Sequence, residues 1–338
     1  MQVLRRVLSA VAAMATVSGI LWGQTASTGT VLGLITDPAG ATVPGATVEL
    51  EDAATKAVRS ATTNAAGRYV FVALPPGTYS VRARAAGFQQ ATVPSVVVEV
   101  TKSYTINLQL PIGEAHQTIE VTATPGAELQ TLDATVGSTL GGDTLMLLPT
   151  LQRNVTGLLT LQAGSMPQQG STQSSYYGGQ VAGAKSDQNS IVLDGGNVTS
   201  SVSGNSDYYT NYYGAQEAPI PTPVESIQEF RVATTNHTAS FTGSSGSQTV
   251  LVTKRGSNQF HGSAYEYLQN SALNANRWDL NRSAQVRPQS RDNRFGGSLG
   301  GYIPGLPEKA KTFFFLNYEG RRMLNTATVQ RLVPTDAP

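Results

Sequence analysis

Apolar and polar residues alternate one by one over several short stretches between positions 30 and 110. In the clearest stretch, Ser103–Leu110, every second residue from Tyr104 onward is apolar and the residues between are polar. A period of two is typical of a strand with one buried face. The same pattern predicts six further strands, at Val31–Thr36, Ala46–Leu50, Val58–Thr63, Arg68–Val72, Tyr79–Ala85 and Val96–Val100. Seven short strands of this kind predict an all-β sandwich.

Turn sequences separate these predicted strands. Asp37–Gly40 and Asn64–Gly67 each begin with a side-chain acceptor and end with glycine, which is typical of tight reversals. Further motifs lie at Pro44–Ala46, Gly67–Tyr69, Leu74–Tyr79 and Gly87–Phe88. Together they resemble the carboxypeptidase regulatory-like domain, a seven-stranded transthyretin-like sandwich of the carbohydrate-binding-like fold, over residues 24–112. The resemblance implies a structural or docking module without peptidase chemistry, and it leaves sugar binding open.

The aromatic residues of this predicted sandwich lie on apolar strand faces or beside turns. They are Tyr69, Phe71, Tyr79 and Phe88. Aromatic rings contribute large buried areas to cores, but they also form platforms for ligands. We favour core packing over a ligand platform, because each ring follows the alternation of its strand or borders a turn.

A linker with an extended, β-prone run is predicted at residues 113–126. The residues of this run are Thr118, Ile119, Glu120, Val121 and Thr122. The run resembles a TonB box, the segment with which receptors of that class bind an energy-transducing protein of the periplasm by strand addition. It equally suits the last strand of the sandwich, and the sequence leaves both interpretations open.

A mixed pattern of helical turns and strands follows at residues 127–255. Apolar helical turns are predicted at Thr144–Leu148 and Val155–Leu161, and buried strands at Ser190–Gly195 and Gln248–Thr253. An ordered series of motifs resembles the mixed α/β plug of Oar-like TonB-dependent receptors: Leu148–Pro149, Arg153–Asn154, Leu193–Gly195, Val224–Phe230 and Thr253–Asn258. Gly196 and Gln152 depart from that pattern, which weakens inferences about contacts of the plug loops.

Three pairs of tyrosines interrupt the polar part of the plug sequence. They are Tyr176, Tyr177, Tyr208, Tyr209, Tyr212 and Tyr213. A phenol combines an apolar ring with a hydrogen-bonding tip, so one interpretation places these residues at a ligand-facing apex. The interpretation that we favour is packing of the plug against a polar barrel lumen.

Residues 256–338 return to alternation, with one long and one short connection, as in outer-membrane barrels. Strands are predicted at Phe260–Asn270, Arg291–Ile303 and Thr312–Arg322. Leu316 and Tyr318 alternate with polar residues, which predicts an apolar outside and a polar lumen. Three segments resemble the opening barrel strands of the same receptors: His261–Gly262, Asn293–Gly301 and Thr312–Gly320. Because a plugged barrel has about 22 strands, we expect a truncated transmembrane β-barrel that transports nothing by itself.

The N-terminus and the composition limit the function. Arg5 and Arg6 precede an apolar run from Val7 to Leu21, which predicts a secretory signal peptide at residues 1–23 rather than a membrane anchor. Cysteine is absent and the formal net charge is +1 without a basic run, which argues against disulfides, thiolate catalysis and nucleic-acid binding. Without metal-site spacing or a catalytic motif, we expect no metal, cofactor or enzymatic activity; the histidines are His116, His237 and His261.

The sequence therefore predicts a mainly β protein of the outer membrane. As part of a TonB-dependent receptor it would help to import a bulky solute, with a glycan or a peptide among the candidates. Its expected partners are a TonB-type protein of the periplasm and outer-membrane lipid. The alternative is an exported surface or periplasmic binding or adhesion module for carbohydrate. An exported hydrolase is a weaker third hypothesis, since it depends on analogy of fold alone.

Overall fold

The computed structural model describes residues 27–113, 118–120, 135–148, 155–167, 179–184, 188–198, 209–210, 216–217, 222–237, 246–305 and 312–325. These residues form three parts: a sandwich, a mixed plug region, and a three-stranded sheet near the C-terminus that we call the wall sheet. The protein is mainly β, as the alternation predicts.

Two facing sheets form the sandwich. Its strands are β1 (Gly29–Thr36), β2 (Thr47–Asp52), β3 (Val58–Thr62), β4 (Arg68–Leu74), β5 (Gly77–Arg84), β6 (Gln90–Val98), β7 (Ser103–Thr105), β8 (Leu108–Gln109) and β9 (Thr118–Glu120). The larger sheet has the order β3-β2-β5-β6-β9, and the smaller has the order β4-β1-β7, with β8 also paired to β1. Leu50, Val81 and Leu108 are at most 1% exposed, so the alternating apolar faces meet in one core.

Two predicted strands of the sandwich differ from the observed ones. Ser103–Leu110 is divided into β7 and β8, because the Asn107 side-chain oxygen accepts the hydrogen bond of the Leu34 amide at 2.9 Å and interrupts the backbone ladder with β1. The strand predicted at Val96–Val100 begins earlier and is β6. It ends before the chain turns at Thr101, whose φ is 58°.

Aromatic side chains fill the sandwich core: Tyr69, Phe71 and Tyr79 are buried, and Phe88 is partly buried against them. The Tyr69 hydroxyl donates to the Ile106 carbonyl at 2.7 Å. Gly33 allows this approach, because an added Cβ would lie 1.8 Å from the Ile106 carbonyl oxygen. Burial also raises the pKa of Tyr69 above its ordinary value, so the ring stays a neutral donor. These positions support the core role that the sequence favours.

The plug region surrounds a five-stranded sheet of order β10-β17-β18-β13-β14. Its strands are β10 (Val136–Gly141), β11 (Ser165–Pro167), β12 (Gly179–Val181), β13 (Ser190–Leu193), β14 (Gly196–Asn197), β15 (Tyr209–Thr210), β16 (Gln216–Glu217), β17 (Ile227–Thr235) and β18 (Gln248–Thr253). Its helices are α1 (Gly142–Leu147) and 3-10 helices at Val155–Leu161 and Val224–Ser226. Leu158, Ile227 and Phe230 are fully buried and form a core of their own. Both predicted helical turns are present.

The wall sheet is antiparallel, with the order β19-β20-β21. Its strands are β19 (His261–Asn270), β20 (Ser290–Tyr302) and β21 (Phe313–Asn325), and the connection after β19 contains a 3-10 helix at Ser271–Leu273 and α2 (Trp278–Arg282). All thirteen residues of β20 pair with β21 without a register shift. Within the described residues, no helix has the length and apolarity needed to cross a membrane.

Candidate functional site

The wall sheet presents large apolar side chains on its outward face. Leu268 is 62% exposed, Leu299 50%, Leu316 67% and Tyr318 65%. Leu299 and Leu316 are direct partners across β20 and β21, so their exposure is shared by neighbouring strands. Exposed apolar side chains of this kind are costly in water, whereas the outside of an outer-membrane barrel places them in lipid. Near Leu268 the same face carries polar residues, where the Asn293 side chain donates to the Glu266 carboxylate at 3.2 Å.

The opposite face of the wall sheet carries paired charges. Arg321 donates to both carboxylate oxygens of Asp292, at 2.9 and 2.8 Å, and Arg294 lies 3.6 Å from Glu319. The Tyr265 hydroxyl donates to Glu319 at 3.3 Å. The side chains of Asp292 and Arg294 are only 14% and 12% exposed. Charged groups with so little exposure to water need such partners. They lie on the face opposite the exposed apolar side chains, where the polar lumen of a barrel would be.

The plug region packs against this polar face. The Tyr267 hydroxyl, which belongs to the polar face of β19, donates to the Glu225 carboxylate at 3.4 Å, and Glu225 is 1% exposed. The chain that leaves the plug also passes close to the wall. A Cβ added at Gly256 would lie 2.5 Å from the Gly301 carbonyl oxygen and 2.4 Å from that of Phe314. The sheet therefore has one side against the globule and one side free.

The candidate TonB box begins as the last strand of the larger sandwich sheet. Its strand β9 pairs in parallel with β6, in the register Gln90 with Thr118, Ala91 with Ile119 and Thr92 with Glu120. The sandwich-strand interpretation thus describes its backbone, while Val121 and Thr122 lie outside the described residues. Because β9 is terminal in the strand order, its second edge has no strand partner among the residues that the structure describes. Such an edge is a template for pairing with another chain.

Other predicted site residues fall outside the described ranges. Only the backbone of Tyr209 is described, in β15, where it pairs with Glu217. The remaining predicted ligand-facing tyrosines lie outside: Tyr176, Tyr177, Tyr208, Tyr212 and Tyr213. The predicted signal peptide at residues 1–23 also lies outside. In the described part of the chain, no three potential metal-binding side chains are grouped.

Two family models match parts of the chain. The carboxypeptidase regulatory-like domain matches residues 30–111, and the outer membrane beta barrel domain matches residues 252–338, which contain the wall sheet. Over 324 residues, 92% of its length, the chain is 22% identical to the TonB-dependent transporter Oar of Myxococcus xanthus. The chain is a homologue of that transporter. The homologue and the barrel-domain match place the chain in the outer membrane, and the chain spans 29% of the length of this relative.

The solved structures that match the chain give only weak similarity. The TIE protein of Bacillus anthracis is 20% identical, with a TM-score of 0.23, over 25% of this chain and 17% of that one. A putative carbohydrate binding protein from Bacteroides uniformis is 18% identical, with a TM-score of 0.22, over 25% of this chain and 41% of that one. Similarity at these TM-scores supports no conclusion about fold or ligand.

Sequence reasoning missed the charge pairs on the polar face of the wall sheet. The partners Asp292 and Arg321 are 29 residues apart, so no local spacing links them. The signal that could have found them is the strict alternation of both predicted strands. Once β20 and β21 are paired in the register that places Ser298 opposite Asn317, the even-numbered residues of β20 and the odd-numbered residues of β21 face the same side.

Proposed function

We propose that this chain is the N-terminal part of a TonB-dependent outer-membrane transporter, which imports a bulky solute by energised movement of its plug. The observation that carries the proposal is the two-sided wall sheet, apolar on its free face and charged on the face that meets the plug. A sheet in lipid must satisfy all backbone hydrogen bonds between strands, which a closed barrel does. In the proposal, further strands of the complete protein pair with the outer edges of β19 and β21.

The lipid-facing role can be tested by placing one arginine on each side of the wall. Leu316→Arg puts the charge on the free apolar face, where arginine in a barrel costs about 2–4 kcal/mol near the bilayer midplane. Ser263→Arg is the matched control, because Ser263 pairs with Ser298 and Ser298 with Asn317, the neighbour of Leu316 on the opposite face. The two positions therefore lie in adjacent cross-strand rows of the sheet, on opposite faces.

The measurement is the amount of heat-modifiable, sheet-rich protein recovered from outer membranes that express the full-length gene product. We expect Leu316→Arg to reduce that amount severalfold and Ser263→Arg to leave it near the wild-type level. Equal recovery of both variants, or a wild-type product that is freely soluble in the periplasm, would contradict the membrane role.

The candidate partner site is the open edge of β9. In the proposal, a TonB-type periplasmic protein adds a strand to Thr118–Thr122, with backbone hydrogen bonds supplying affinity and alternate side chains supplying selectivity. The terminal place of β9 in the sheet supports this, since a partner strand can pair with its second edge without displacing β6. The proposal assigns no catalysis to the chain.

Proline substitution tests the partner site, because proline cannot donate a backbone hydrogen bond. Ile119→Pro and Val121→Pro should each weaken binding of the purified periplasmic part of a TonB-type protein at least tenfold, by calorimetry on the full-length receptor in detergent. Leu129→Pro, three residues beyond the linker and outside the box, is the control. Unchanged binding of both box variants would remove the box assignment, while the heat-modifiability experiment would still decide the membrane role.

A further inference from the structure

Three turns lie together at one end of the sandwich. They comprise residues 53–57 between β2 and β3, residues 75–76 between β4 and β5, and residues 99–102 between β6 and β7. The strand registers bring them together, because Asp52 pairs with Tyr79 and Gly77 pairs with Val98. We call this surface the docking end.

Each turn of the docking end makes a hydrogen bond to the chain after residue 222. The Ala54 carbonyl accepts from the Asn258 amide at 3.0 Å, and the Pro76 carbonyl accepts from the Gln228 side chain at 3.1 Å. In the third turn, both backbone groups of Val100, its amide and its carbonyl, form hydrogen bonds to side chains of the plug strand β17. All the sandwich atoms in these bonds belong to the backbone, so the contact depends on the shape of the turns rather than on their side chains.

Val100 is the centre of the contact. Its amide donates to the Glu229 carboxylate at 2.9 Å, and its carbonyl accepts from the Arg231 guanidinium at 3.3 Å. We call Glu229 and Arg231 the clamp. Both are buried, at 5% and 3% exposed, and a buried charge is stabilised only when it is paired and hydrogen-bonded. The Val100 side chain, fully buried, packs on the plug sheet against Val192, Val250 and Val252.

The backbone of the docking end is strained. Lys56, Ala73 and Thr101 have positive φ angles of 59°, 54° and 58° without being glycine. They are the non-glycine residues with positive φ among the described residues of the sandwich, and all lie in or beside the three turns. At the opposite end, turns with positive φ use glycine, as at Gly40 and Gly67. Strained backbone persists where surrounding contacts hold it, and it clusters at functional sites. The strained turns therefore support a functional role for the docking end.

The contact is not densely packed throughout. A cavity of about 660 Å³ separates the β2–β3 and β4–β5 turns from Lys254, Arg255 and the first residues of the wall sheet. Interfaces between domains of one chain are commonly small and polar, and they permit relative motion. The contact between the sandwich and the plug therefore combines specific hydrogen bonds at Val100 with a cavity beside the other two turns. This is expected for two domains that can separate.

We propose that the docking end is an interaction surface whose partner is the plug sheet of the same chain, and that the clamp holds the sandwich on the plug by gripping the Val100 backbone. This goes beyond the proposed function and does not depend on transport. Docking fixes the position of β9, which carries the first residues of the candidate TonB box, relative to the plug sheet. A force applied to the box therefore acts on this contact as well as on the plug.

A disulfide across the contact tests docking directly, because the chain has no cysteine of its own. Thr101→Cys and Gln248→Cys are placed in residues that line one narrow crevice between the sandwich turn and the plug sheet. In the full-length receptor in detergent, mild oxidation should form the intramolecular disulfide, as seen by non-reducing peptide mass spectrometry. Adding Glu229→Ala should slow its formation about tenfold, equivalent to about 1.4 kcal/mol.

The matched control is Glu225→Gln, a second buried acid just before β17, whose carboxylate accepts from Tyr267 of the wall sheet. It should leave disulfide formation unchanged. Amide exchange at Val81 and Val232 reports whether the sandwich and the plug stay folded. If Glu229→Ala unfolds the plug, Val100→Asp replaces it, since that change places a carboxylate against the apolar side chains of Val192, Val250 and Val252 when the sandwich docks. If the folded variant forms the disulfide as fast as the double-cysteine protein with the native clamp, the proposal is wrong. It is also wrong if that double-cysteine protein forms no disulfide.

Discussion

The sandwich and the wall sheet share one sequence pattern but place it in opposite surroundings. In both, apolar residues recur at alternate positions of a strand, as at Val81 and Ala83 of β5 and at Leu316 and Tyr318 of β21. In the sandwich, Val81 is fully buried against a second sheet, whereas Leu316 of the wall sheet is 67% exposed. Alternation therefore predicts a two-faced strand, but it does not say which medium meets the apolar face. That depends on whether the chain supplies a second apolar layer.

The polar faces of the two regions differ as well. On the sandwich, Arg84 pairs with Glu49 on neighbouring strands, with the arginine side chain 59% exposed. On the wall sheet, Arg294 pairs with Glu319 with side chains 12% and 15% exposed. An exposed pair contributes little to stability, while an enclosed charge must be paired. The wall sheet thus reverses the sandwich, with its apolar face free and its charged face enclosed.

Matched leucine truncations give the largest expected difference between the two regions. Leu108→Ala in the sandwich removes a side chain that is 1% exposed, and it should lower the free energy of unfolding by about 2–5 kcal/mol. Leu316→Ala in the wall sheet opens no cavity, and it should change stability in detergent by less than about 0.5 kcal/mol. Segment-resolved amide exchange of the full chain measures both. Similar losses at both positions would mean that the wall face is covered in the protein.

The plug sheet differs from both regions because it buries a carboxyl group, Glu229, that titrates near neutral pH. Burial raises the pKa of Glu229 to about 7 from 4.5; the Val100 amide opposes this, the Glu99 carboxylate adds to it, and Arg231 and Lys102 oppose it. The folded state therefore binds the proton more tightly than the unfolded state. The free energy of unfolding of the plug should fall as pH rises from about 4.5 to about 7, by roughly 3 kcal/mol.

Urea unfolding of the full chain across this pH range, followed by exchange of the plug amides, measures that slope. Glu229→Gln cannot ionise and should flatten the slope over the same range, while amides of the sandwich core should show no comparable slope in either protein. A slope that is identical in wild type and Glu229→Gln would assign it to other groups.

The comparison also explains how much the sequence could predict. The sandwich, the helical turns predicted at Thr144–Leu148 and Val155–Leu161, and the three wall strands follow from local periodicity; the first helix is observed at Gly142–Leu147. The clamp was not predicted, because Glu229 and Val100 are 129 residues apart and no local pattern marks a carboxylate that binds a distant backbone amide. The division of Ser103–Leu110 was also missed, since it depends on one Asn107 side chain replacing a backbone acceptor. Periodicity predicts elements, whereas contacts between them require the assembled chain.

Two tyrosines give the smallest difference. The Tyr69 hydroxyl donates at 2.7 Å to the Ile106 carbonyl inside the sandwich, whereas that of Tyr265 lies 3.3 Å from Glu319 on the half-enclosed wall face. Tyr69→Phe leaves a partly buried carbonyl without this donor and should lower the free energy of unfolding by about 1 kcal/mol. Tyr265→Phe should cost under about 0.5 kcal/mol, because Arg294 still pairs with Glu319. Segment-resolved amide exchange measures both variants. A larger loss of unfolding free energy in Tyr265→Phe than in Tyr69→Phe would mean that the charged face excludes water as well as the sandwich core does.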